Sequence, residues 1–91
     1  IESERASHKL SVARSYYYIG NYFQTLSEIS EILKLKSDKE TEFQARLLNG
    51  NVLVAQKKFI EAAKLFEGII AKFPDKALAE NVHLVLSLAL E

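Results

Sequence analysis

The 91 residues allow one hydrophobic core and no second. Nearly half are hydrophobic and a quarter charged, which excludes a disordered chain, while three Gly and one Pro exclude a turn-rich β-sandwich or barrel. Twelve basic residues balance twelve acidic ones, so the field of a dedicated nucleic-acid binder is missing; without Cys there is no disulfide, thiol nucleophile or Cys-based zinc site.

Leu10, Ala13 and Tyr17, with Val12, Tyr16 and Ile19, recur at helical spacing and predict a first helix near 4–19. Gly20-Asn21 stops it and turns the chain. A second helix near 22–36 carries Tyr22, Leu26, Ile29, Ile32, Leu33 and Leu35. Ser37-Asp38 ends it and supplies a cap for a third, near 39–56, whose stripe is Phe43, Leu47, Gly50 and Val54. Lys57-Lys58 forms a short turn. The fourth helix, near 59–72, is marked by Phe59, Ala62, Ala63, Phe66, Ile69, Ile70 and Phe73, and Pro74 closes it. Asp75 opens a fifth, near 76–90.

Shifting the chain by 37 residues brings it into register with itself. Leu10, Leu47 and Leu84 coincide, as do the small residues Ala13, Gly50 and Ser87. Tyr22 falls on Phe59, Ile29 on Phe66 and Ile32 on Ile69. The expected architecture is therefore all-α: an α-α superhelix, or solenoid, of antiparallel helix pairs with about five helices. Unit one covers about 6–38 and unit two about 43–75, with the first half of a third at about 76–91. Gly50 marks a close approach of packed helices, where a larger side chain costs about 1–3 kcal/mol.

The second unit resembles a tetratricopeptide repeat. Its Asn49-Gly50, Leu53, Ala62, Phe66 and Pro74 occupy that family's pattern positions, and Val12-Ala13, Tyr16, Gly20-Asn21-Tyr22 and Ile29 occupy them more loosely in the first. The period exceeds the family's usual ~34 residues, in the manner of bacterial cell-envelope members, and the frequent Trp is absent. Nearly the whole chain is covered. The resemblance implies a protein-binding scaffold whose first helices line a concave groove. It places Ser7, Leu10, Arg14, Tyr17 and Tyr18 there from unit one, Gln44, Leu47 and Asn51 from unit two, and Asn81, Leu84 and Leu88 from the third. Tyr16 is assigned to the core. The chaperone-binding members' carboxylate clamp is not matched, since Leu10 replaces its first Lys and Arg14 its Asn.

Nothing points to catalysis. His8 and His83 have no neighbouring ligands at metal spacing, no Gly-rich phosphate loop exists, and no Ser has a His and an acid in a known motif. No cofactor or metal is expected. No apolar run reaches the ~18 residues of a membrane span. Ile1 and the absence of Met point to a piece of a longer protein, and compartment stays open between cytoplasm and bacterial envelope. The expected function is a non-catalytic module that binds a protein or peptide. The alternative is a structural spacer or self-association segment. Its basis is the last helix, apolar nearly all round through Val82, Leu84, Val85, Leu86, Leu88 and Leu90, which invites a homodimer.

Overall fold

The computed structural model describes residues 2–35, 38–79 and 82–90, with backbone alone at 2, 3, 78, 79, 85 and 88–90. Six helices account for these residues, with no strand among them: α1 (Glu2–Tyr18), α2 (Tyr22–Lys34), α3 (Lys39–Ala55), α4 (Phe59–Lys72), α5 (Pro74–Ala79) and α6 (Val82–Leu90). The chain is all-helical and packs into a body of 39 × 29 × 17 Å.

Two turns of one design join the hairpins. After α1, Gly20 takes φ +82°, and its N–H donates to the Tyr17 carbonyl while that of Asn21 reaches Tyr16. After α3, Lys57 takes φ +63°, and its N–H donates to Val54 while that of Lys58 reaches Leu53. Both are helix C-terminal locks that need one left-handed residue. Asn21 then caps α2 by accepting from the Gln24 N–H, whereas Lys58, at the equivalent place before α4, has no side chain able to do so. Asp38 caps α3 through a 2.7 Å bond from the Thr41 N–H, which holds its carboxyl below the usual range; Ser37 lies outside the described residues.

Apolar spacing decides what each helix buries. Ala6, Leu10 and Ala13 form one stripe of α1 and meet Ile29 and Ile32 of α2 and Ala45 and Leu48 of α3. A second cluster joins Phe43 of α3, Ala62, Phe66 and Ile69 of α4, Phe73, Ala77 of α5 and Val82 of α6. Helix α3 thus serves both clusters, and it touches α1, α2 and α4. Gly50 sits where expected: a Cβ there would lie 2.4 Å from the buried Phe66 ring. Gly68 has open space around it, so no close approach explains it. Ser87, aligned with Ala13 and Gly50, is exposed rather than packed.

Where a fifth helix was expected over 76–90, the described residues are helical as α5 and α6, with residues 80 and 81 outside the description, and Pro74 begins α5 instead of preceding it. Ala77 and Val82 are both fully buried in the second cluster. Tyr16, expected in the core, is only half-buried, because the stripe through Ala13 and Tyr17 turns it aside.

Ion pairs tie the start of α3 to the far end of α4 and to α5. Glu42 accepts from Lys72 at 2.6 Å and from Arg46 at 2.9 Å, and Glu40 accepts from Lys76. The Lys72 ammonium holds the Glu42 carboxyl below its ordinary range, and Lys76 does the same for Glu40, so both remain ionised at neutral pH.

Candidate functional site

A cleft of about 90 Å³ opens between α1 and α3. Its walls are Arg14, Tyr17 and Tyr18 from α1 and Gln44, Leu47, Leu48 and Asn51 from α3. Six of the residues that the repeat resemblance assigned to a groove meet here: Arg14, Tyr17, Tyr18, Gln44, Leu47 and Asn51. The two helices run in the same direction, because Arg14 stands beside Gln44 while Tyr17 and Tyr18 stand beside Leu47 and Asn51. Side chains one turn apart on each helix therefore line one continuous wall.

The cleft floor is polar and tethered. The Arg14 guanidinium donates to Gln44 Oε1 at 3.1 Å, Gln44 Nε2 donates to Glu40 Oε1 at 3.3 Å, and Lys76 holds the other Glu40 oxygen. This chain of contacts crosses α1, α3 and α5 and fixes the orientation of Gln44. Among the described residues Gln44 is the guanidinium's one hydrogen-bond partner, and its other N–H groups suit a ligand oxygen. The Asn51 amide adds a donor and an acceptor, the pair that an extended backbone requires.

The cleft rim is aromatic. The rings of Tyr17 and Tyr18 stand 5.7 Å apart edge to face, and Tyr17 lies 5.9 Å from Tyr22 at a tilt of 47°. Partial burial, then the neighbouring Tyr22 and Tyr18, push the Tyr17 hydroxyl above its ordinary value, so it stays protonated and can donate. Among the described residues that line the wall, Arg14 carries the one formal charge, and none is Ser, His, Asp or Glu. The wall thus sets hydrogen-bonding groups beside apolar and aromatic surface.

Other expected site residues fall elsewhere. Leu10 is a correction: it is buried in the first cluster, because it continues the stripe of Ala6 and Ala13 toward α2. Ser7 is exposed on α1 away from the cleft. Leu84 is 60% exposed on α6 and also outside the cleft. Val82 is a second correction, being fully buried rather than available for self-association, since α6 lays it against α4. Leu86, one turn on, is half-buried against the same cluster. Asn81 lies outside the described residues, as do the side chains of Val85, Leu88 and Leu90.

Sequence reasoning missed Leu48 on the cleft wall and Tyr22 in the aromatic group. The signal for Tyr22 was its place just after the Gly20-Asn21 turn, which folds it back beside the end of α1. His8 and His83 are both exposed. In comparisons with known proteins, no family model, no curated protein and no solved structure matches the chain.

Proposed function

We propose that the chain is a non-catalytic, tetratricopeptide-type interaction module, part of a larger scaffold, that receives an extended peptide or protein segment in the α1–α3 cleft. In this reading the two hairpins and the α5–α6 segment are successive units of an α-α superhelix. One observation carries it: six residues that the repeat resemblance assigned to a groove lie on the wall of one cleft, on two parallel helices. Leu47 and the tyrosine rim supply apolar contact, while Arg14 and Asn51 supply direction. Peptides selected from a random display library for binding the chain should lose affinity about tenfold or more with Tyr17→Ala or Asn51→Ala, about 1.4 kcal/mol each. Selected peptides whose affinity ignores both changes would remove the reading.

A second reading is favoured by Leu84, a large apolar side chain left 60% exposed on α6. Here α6 is an association surface between copies of the chain. Light scattering coupled to size exclusion should then show a dimer that Leu84→Glu converts to monomer. A wild-type monomer at tens of micromolar excludes this reading, taking ~10⁻⁵ M as the weakest dimer of interest.

A further inference from the structure

The α1–α2 and α3–α4 turns share one end of the molecule, because α1 and α3 run in parallel. Charge is absent from that end of the first hairpin: no charged residue occurs between Arg14 and Glu28. The first turn instead thrusts Tyr18, Ile19 and Phe23 outward, 79, 76 and 80% exposed. The second presents Ile60, 74% exposed, at the position equivalent to Phe23. Beside it stand Lys57 and Lys58, both exposed and neither in an ion pair among the described residues. Glu61 borders the same shallow depression without pairing to either. At the opposite end of α3, by contrast, Glu40 and Glu42 are matched with Lys72, Lys76 and Arg46.

From this polarity we infer that the two hairpin turns form a docking surface for an anionic lipid membrane. The apolar side chains stand largely exposed at the turns with no deep groove between them, which suits a fluid headgroup layer that needs no complementary shape. Tyr18 and Phe23 are of the residue types that sit at headgroup depth, and the two unpaired lysines meet lipid phosphates and carboxylates. Lys57 also occupies a left-handed position at φ +63°, where glycine is less strained, as Gly20 shows in the first turn. A cation held at a strained position is accounted for by a ligand that uses it. No helix among the described residues is long and apolar enough to cross a membrane, so the contact is peripheral.

Vesicle flotation tests this without reference to the cleft. The probes are vesicles of phosphatidylcholine alone and vesicles with about one-third phosphatidylserine, at low and high salt. The chain should float with the anionic vesicles, and the bound fraction should fall as salt rises. Phe23→Ser/Ile60→Ser should weaken binding about tenfold or more, since both side chains already face solvent and their loss costs the fold little. Lys57→Gly/Lys58→Asn should do the same while stabilising the fold, so weaker binding there cannot come from unfolding. Absence of wild-type binding to anionic vesicles overturns the inference, and so does binding that neither variant changes. A Phe23→Ser/Ile60→Ser variant that loses only dimer formation would assign the turns to a protein contact and overturn it equally. Vesicle results in either direction leave peptide binding in the α1–α3 cleft to stand or fall separately.

Discussion

Replacing Gly50 by Ala should destabilise the chain, although Ala is the better helix former by about 1 kcal/mol. The new Cβ would stand 2.4 Å from Phe66 Cε1 and 2.6 Å from Cζ. Phe66 is fully buried among Phe43, Ala62, Ile69 and Val82, so its ring has no free space to enter. The helices must part or the ring must leave its rotamer, and the expected net loss is about 1–3 kcal/mol. In thermal unfolding that lowers the midpoint by about 4 °C or more for a domain of this size. Register with the first hairpin supplies the rescue. There the same two positions are Ala13 and Ile29, both buried in one cluster. The small residue and the bulky one trade volume: Gly with Phe, Ala with Ile. Gly50→Ala/Phe66→Ile should therefore be more stable than the sum of its single changes, with a coupling of about 1 kcal/mol or more. Strict additivity would show that the two sites do not share the space.

Lys57→Gly/Lys58→Asn, which copies Gly20-Asn21 into the second turn, should raise stability by about 1–2 kcal/mol. The backbone needs no adjustment. Lys58 has φ −92° and ψ 66° against −86° and 76° for Asn21, and Lys57 shares the left-handed region with Gly20. Glycine at the first position removes the clash of a Cβ with its own carbonyl. Asparagine at the second provides an oxygen for a free N–H in the first turn of α4, which now has no side-chain cap. Separate single variants read the two contributions in denaturant unfolding. An unchanged midpoint in the double variant would mean that the lysines offset the strain through contacts beyond the turn.

Those equivalences explain why so much was legible. Period, turn positions and the Gly50 slot are set by local rules that act within a few residues or across one hairpin, so they leave marks in the sequence. The six cleft residues that the resemblance named share one wall because equivalent turns of two parallel helices face each other. What failed depends on more distant packing. Leu10 was assigned to the groove by its place in the unit, yet its stripe with Ala6 and Ala13 commits it to the core. The exposed Ile19 read as an ordinary member of the first helix's apolar stripe, because periodicity does not say how far a neighbouring helix extends.

Helix α3 sends Ala45 and Leu48 to one cluster and Phe43 to the other, so it acts as a party wall between two rooms. Fraying that starts at α1 strips one side of it, and fraying that starts at α6 strips the other. Either way the remaining side keeps α3 docked on a neighbouring hairpin. Opening of the chain is consequently graded from its two ends inward, and α3 is the last element to lose its shelter.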